Sequence, residues 1–135
     1  MASIRKEILL DAPPDEVWDV VRDVGAVHTR FAPGFVVDTH LQPGARVVTF
    51  ANGLVARELI VDVDEDRRRL AYVVVGGRLA HHNASFTVVD RGAGGTQLVW
   101  VADLLPDEMA GAIDDMMQQG VEAIRRAFSA PVGSA

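Results

Sequence analysis

Two adjacent histidines, His81 and His82, open a segment with the composition of a β-strand, RLAHHNASFTVVD at positions 78–90. An imidazole titrates near neutral pH, so a histidine can act as a general acid or base or bind a metal ion. Because neighbouring side chains of a strand point to opposite faces, these two histidines cannot share one metal ion. The chain has four histidines and no cysteine, and no obvious inward carboxylate accompanies His82. We therefore predict no metal site.

The same alternation selects the polar side chains that share the inward face with His82. In the segment 54–64, Arg57 falls on the phase of the apolar residues, whereas Glu58 falls on the opposite phase. A general acid or base beside groups that polarise a carbonyl could catalyse proton transfer to or from a bound molecule. The predicted inward polar set is Arg57, Tyr72 and His82, with Trp100 alongside and Arg46 as a further candidate.

Each of these residues also has a purely structural interpretation. An inward guanidinium needs a counter-charge, and Arg57 could obtain it from a carboxylate such as Asp38, Asp103 or Asp114. His82 could be a hydrogen-bonded residue at a strand end. Tyr72 and Trp100 could simply pack in the core, so the sequence leaves both interpretations open.

The elements that must position these residues follow from hydrophobic period and turn signals. Residues 3–11 alternate as a half-buried strand, Pro13-Pro14 begins a short helix that ends before Gly25, and a second short helix or turn covers 25–31. Six strands follow, and their short connections indicate antiparallel neighbours. The predicted strands are 35–42, 45–51, 54–64, 68–76, 81–90 and 95–103.

A long amphipathic helix is predicted from Pro106 to Phe128. Its apolar residues recur at spacings of three and four, and Arg125 and Arg126 lie in its last turn, where the helix dipole favours cations. A curved antiparallel sheet of about seven strands must bury this helix across its concave face, because no other element can cover it. The prediction is therefore an α+β fold with a hollow between sheet and helix.

Composition restricts the class of protein. The chain has 135 residues, a net charge of −6 and a pI of about 5.0, which argues against nucleic-acid binding. The absence of cysteine excludes thiol nucleophiles, and no apolar run is long enough to span a bilayer. We predict one cytoplasmic domain over residues 1–135, ordered over about 3–129, with a loose tail at 130–135. No cofactor is predicted, and the choice between monomer and dimer stays open.

Several motifs give the chain a family resemblance. They are APPDEVWDVVRD, FAPGF, QPGARVVTF, GLVARELIVDVDEDRRRLAYVVV and GGTQLVWVADL, in that order over about residues 3–129. Together they resemble the START-like, or SRPBCC, superfamily with its helix-grip fold, and most closely its polyketide cyclase/dehydrase-type branch. The resemblance implies the fold and leaves the function open, because the superfamily includes lipid and hormone binders, polyketide cyclases, other lyases and chaperone regulators.

One departure from that family pattern concerns the candidate arginine. The family commonly has Glu-Arg-Leu where this chain has Arg57-Glu58-Leu59. A role carried by an inward glutamate at position 57 therefore cannot be transferred to this chain.

Three functions remain in competition. The first is binding of a small hydrophobic, oxygen-bearing molecule of polyketide, lipid or aromatic type. The second is a cyclase or dehydratase with His82 as general acid/base and Arg57 or Tyr72 polarising a carbonyl. The third is a protein-interaction module whose cavity is filled by its own side chains. The predicted ligand-binding residues are Phe31, Phe50, Arg57, Tyr72, His82, Trp100, Met109, Ile113 and Met116.

Overall fold

The computed structural model describes residues 1–129, so the predicted tail at 130–135 lies outside the described residues. Seven antiparallel strands form one sheet in the order β1-β7-β6-β5-β4-β3-β2. The predicted α+β fold, a curved sheet gripping a long C-terminal helix, is confirmed. The strands are β1 (Ala2–Leu10), β2 (Val36–Gln42), β3 (Ala45–Phe50), β4 (Val55–Asp64), β5 (Arg69–Val75), β6 (His81–Gly92) and β7 (Gly95–Leu105).

The helices also follow the prediction, with two differences in detail. The first helix, α1, spans Pro14–Val21, and the second short element is a single π-helical turn, Val27–Phe31. The long element divides into a 3₁₀ turn, Asp107–Met109, and the helix α2, Ala110–Ser129. The proline at position 106 lies outside the helix, as its missing N–H favours.

The charged turn between β4 and β5 holds α1 in place. The Trp18 indole donates a hydrogen bond of 2.9 Å to the Glu65 carboxylate, and the Arg22 guanidinium donates one of 2.8 Å to its other oxygen. These two bonds, the indole's first, lower the pKa of Glu65. Glu65 in this charged turn therefore fixes the position of α1 relative to β4 and β5.

A β-bulge in β4 changes which of its residues face inward. Ile60 pairs with Tyr72 and Asp62 pairs with Ala71, so Val61 is an extra residue with no partner on β5. The bulged Val61 is 61% exposed. Because the extra residue shifts the alternation by one, the inward phase is even-numbered before the bulge and odd-numbered after it.

Helix α2 lies on the concave face of the sheet and is held there at two points. Lys6 of β1 forms an ion pair of 2.8 Å with Asp114 of the helix. Farther along, the helix backbone itself reaches the floor of the sheet at Gly120. A Cβ built on Gly120 would lie 2.9 Å from two ring carbons of Trp100, so only a glycine allows this approach.

This contact generates a prediction about stability. Gly120→Ala should lower the free energy of unfolding by about 1–3 kcal/mol, since its methyl group must displace the Trp100 ring in a packed interior. Gly111→Ala in the same helix is the matched control, because a Cβ there meets nothing within 4 Å. That control should raise stability by up to about 1 kcal/mol, since alanine favours the helix. Equal effects of the two substitutions in urea unfolding would contradict the close approach.

Candidate functional site

A cavity of about 540 Å³ lies between the sheet and α2. Its volume falls within the range of about 300–1,000 Å³ typical of small-molecule sites. The exposed residues of its lining, which we call the mouth, are Leu54, Val55, Gly76, Gly77, Arg78 and Ala112. Its remaining lining is mostly apolar, from the sheet, the π-helical turn and α2.

Four buried residues of the lining carry polar side-chain atoms and form what we call the inner cluster: Arg46, Glu58, Tyr72 and Trp100. Arg46 and Glu58 face each other across β3 and β4, and Arg46 Nε donates a hydrogen bond of 2.8 Å to Glu58 Oε1. Their exposed fractions are only 3% and 7%. The two charges compensate each other, because a buried ion without a partner would be strongly unfavourable.

Tyr72 connects this ion pair to the aromatic floor of the cavity. The Arg46 guanidinium carbon lies 5.2 Å from the centre of the Tyr72 ring, a cation–π arrangement. The Tyr72 hydroxyl accepts a hydrogen bond of 3.1 Å from Trp100 Nε1. Burial, and then the negative charge of Glu58, raise the pKa of Tyr72, so the hydroxyl stays protonated at neutral pH.

The aromatic side chains around the cavity pack in two groups. Phe86 stacks on Trp100 with ring centres 4.7 Å apart, and Phe31 meets Phe86 edge-on at 4.9 Å. Phe35 and Phe50 form a second pair at 5.1 Å. Such contacts fix ring orientation, so the Trp100 and Tyr72 polar atoms are held in place.

His82 lines the cavity apart from the inner cluster, at the start of β6. Burial, and then the neighbouring His81, lower the pKa of the His82 imidazole. The imidazole is therefore neutral at pH 7 and available as a base or as a hydrogen-bonding group. Its predicted inward orientation is confirmed, because Ala84, Phe86 and Val88 on the same phase are buried.

The predicted inward orientation of Arg57 is wrong. Arg57 is exposed, lies outside the cavity lining and donates a hydrogen bond of 3.2 Å to the Gln42 side chain. The bulge at Val61 is the reason, because it places Glu58, and not Arg57, on the inward phase. The structural interpretation, in which Arg57 pairs with Asp38, Asp103 or Asp114, is also wrong. Arg57 bonds to Gln42 instead, and Asp114 pairs with Lys6. The inward arginine is Arg46.

The other predicted ligand-binding residues all line the cavity: Phe31, Phe50, Tyr72, His82, Trp100, Met109, Ile113 and Met116. The residue that sequence reasoning missed is Glu58, since a strand pattern read at constant period turns it outward. Ile60 and Val63 are the signal that could have found it, because they lie on opposite phases of a regular strand and can both face the core only if an extra residue stands between them.

Within residues 1–129, no three histidine, aspartate or glutamate side chains are grouped so that they could hold a metal ion. Over the same residues, no helix is long and apolar enough to cross a membrane.

Comparison with known proteins gives the family. A family model described as "Polyketide cyclase / dehydrase and lipid transport" matches residues 1–130. The chain belongs to this family. A search of the curated proteins gave no match.

Solved structures of other members of this fold agree with the assignment. XoxI from Bacillus cereus has a TM-score of 0.84 at 14% identity, covering 95% of this chain and 96% of that one. The di-domain ARO/CYC BexL of the BE-7585A biosynthetic pathway has a TM-score of 0.80 at 19% identity, covering 94% of this chain and 46% of that one. Norcoclaurine synthase of Thalictrum flavum has a TM-score of 0.70 at 18% identity, covering 93% of this chain and 92% of that one. At these identities the likeness shows the shared fold.

The inner cluster of this family member makes a testable contribution to stability. Glu58→Ala leaves the Arg46 guanidinium buried without its carboxylate, so the free energy of unfolding should fall by about 3–5 kcal/mol. The double variant Arg46→Met plus Glu58→Leu should recover most of that loss, because it removes both charges and keeps the volume.

The neighbouring exposed residue is the control for this prediction. Arg57→Ala should change stability by less than about 1 kcal/mol, as expected for a solvated side chain. Urea unfolding measures all three variants. A loss in Arg57→Ala equal to that in Glu58→Ala would contradict the assignment of the buried pair.

Proposed function

We propose that this protein binds a small, largely apolar molecule that carries at least one oxygen group, in the cavity between the sheet and α2. The observation that carries the proposal is the cavity of about 540 Å³ with its buried inner cluster. The apolar lining provides the affinity, since burial of nonpolar surface is favourable by about 25 cal/mol per Å². The few polar atoms orient the ligand.

The contact with the ligand oxygen comes from the inner cluster. Tyr72 lines the cavity and its hydroxyl is fixed by Trp100. The Tyr72 hydroxyl can donate its proton to a ligand oxygen at this end. A cavity of this size argues against the third hypothesis, an interaction module filled by its own side chains.

The family supports this proposal in its coarse form. Its description includes both cyclase or dehydrase activity and lipid transport, and both require a bound small molecule. Norcoclaurine synthase and BexL are neighbours of this fold that are named for their own ligands or pathway. Binding is therefore the function that all of these observations share.

Two measurements test binding. Native mass spectrometry of freshly purified protein should show a co-purified small molecule, and calorimetric titration should detect 2-acetonaphthone, a flat apolar ketone. Ala56→Phe places a ring in the cavity lining and should weaken that binding on the order of ten-fold or more. Val89→Phe, on an exposed position of β6, is the matched control and should leave affinity unchanged. Binding that is absent, or equally strong in Ala56→Phe, would defeat the proposal.

A second candidate, supported by the position of His82, is enolisation of a bound carbonyl compound. The neutral imidazole would remove a proton from the carbon next to the carbonyl, and the electron pair of the broken C–H bond would move to the carbonyl oxygen. The Tyr72 hydroxyl would hold the developing enolate. This assigns the general base to His82 and the polarising group to Tyr72, whereas Arg57 has no part in it.

Deuterium exchange distinguishes an enzyme from a binder. In D₂O the methyl protons of bound 2-acetonaphthone should exchange faster than in buffer, as measured by NMR, and His82→Asn should abolish the acceleration. The rate should rise with pH and reach its half-maximum below 6.5, the ordinary pKa of histidine, because the pKa of His82 is lowered. The exposed His40 is the control, and His40→Asn should keep full exchange. Binding without accelerated exchange would contradict the enolisation candidate and would be consistent with binding alone.

A further inference from the structure

The inner cluster combines a cation and an anion in a way that restricts the ligand. Arg46 and Glu58 are direct partners across β3 and β4 at 2.8 Å, and both line the cavity. The Arg46 charge is thus already neutralised at the wall that a ligand oxygen would meet. Arg46 Nη1 is also directed to the Val24 carbonyl at 3.4 Å, and the ring of Tyr72 lies against the guanidinium.

An anionic ligand is unfavourable at such a wall. A carboxylate entering the inner end would lose its hydration and would meet the Glu58 carboxylate together with Arg46. The loss of hydration of a buried ion is repaid only by an uncompensated opposite charge and several hydrogen bonds. An uncharged oxygen loses much less on leaving water.

The hydrogen-bonding direction at Tyr72 restricts the ligand further. The Tyr72 oxygen accepts the Trp100 N–H, so the hydrogen bond that the hydroxyl can still make to a ligand is a donated one. Within residues 1–129 the Tyr72 hydroxyl takes part in a side-chain hydrogen bond only as the acceptor. The complementary ligand group is an acceptor, such as a ketone, quinone or ester carbonyl.

We propose that the cavity selects a neutral carbonyl compound over a carboxylate, and that Glu58 sets this selectivity by neutralising Arg46 while Tyr72 donates to the carbonyl oxygen. The inference rests on the proposed binding function and adds the chemical class of the ligand. Free fatty acids and other carboxylates are thereby excluded from the inner end.

One further cation requires a control. Arg78 is exposed at the mouth, where it could attract a carboxylate without any involvement of the inner cluster. Binding is therefore measured in Arg78→Gln as well as in the unaltered protein. The probes share one ring system and differ in one group: 2-acetonaphthone, 2-naphthoate and 2-ethylnaphthalene.

In Arg78→Gln, 2-acetonaphthone should bind on the order of ten-fold more tightly than 2-naphthoate at pH 7.5. Tyr72→Phe should weaken 2-acetonaphthone about five-fold, the effect of one hydrogen bond, and leave 2-ethylnaphthalene unchanged. Glu58→Gln keeps the shape of the side chain and removes its charge, so 2-naphthoate should bind on the order of ten-fold more tightly than before.

The outcomes separate the two proposals. Equal affinity for 2-naphthoate and 2-acetonaphthone in Arg78→Gln, or no effect of Tyr72→Phe, would overturn the selectivity while 2-ethylnaphthalene binding upholds the cavity as a binding site. Failure of all three probes to bind would overturn the binding function and the selectivity together. Circular dichroism establishes whether Glu58→Gln folds. If this variant does not fold, the selectivity is decided by the affinities of 2-acetonaphthone and 2-naphthoate in Arg78→Gln and by the effect of Tyr72→Phe.

Discussion

The cavity depends on one interaction, the ion pair between Arg46 and Glu58. Two ionised groups on adjacent strands would not remain inside an apolar interior unless each compensated the other, and at 2.8 Å they do. Their pairing lets β3 and β4 present polar atoms to an enclosed space without an unpaired charge. Tyr72 and Trp100 then extend this polar region by a cation–π contact and a hydrogen bond. Without the pair, the same wall would require either water or a wholly apolar surface.

The rest of the fold serves to enclose that wall. The curved sheet provides the floor, and α2 closes it from above through the Lys6–Asp114 ion pair and the contact of Gly120 with Trp100. The Glu65 carboxylate fixes α1 by its bonds to Trp18 and Arg22. Among residues 1–129 the other ion pairs lie at the periphery, and Arg46–Glu58 is the buried pair.

Most of the fold could be predicted from the sequence, because the period of each strand and the signals in the turns are local. The inward orientations of Tyr72, His82 and Trp100 follow from alternation alone, and these strands are regular at those positions. The prediction failed at Arg57 because alternation assumes an unbroken strand, whereas the bulge at Val61 is fixed by pairing with β5. The ion pair and the approach of Gly120 to Trp100 each join residues of two different elements, so the pattern within one element could not show them.

The contact between Gly120 and Trp100 has a geometric consequence for any guest molecule. The helix backbone lies against the Cζ3 and Cη2 atoms of the indole ring, so this ring fixes the spacing between roof and floor at that point. The Trp100 ring in turn stacks on Phe86, and this contact holds the indole in place. A thicker guest therefore gains no room beside Gly120, whereas a longer guest can extend toward the exposed residues of the mouth. The cavity therefore restricts the thickness of a guest molecule more than its length.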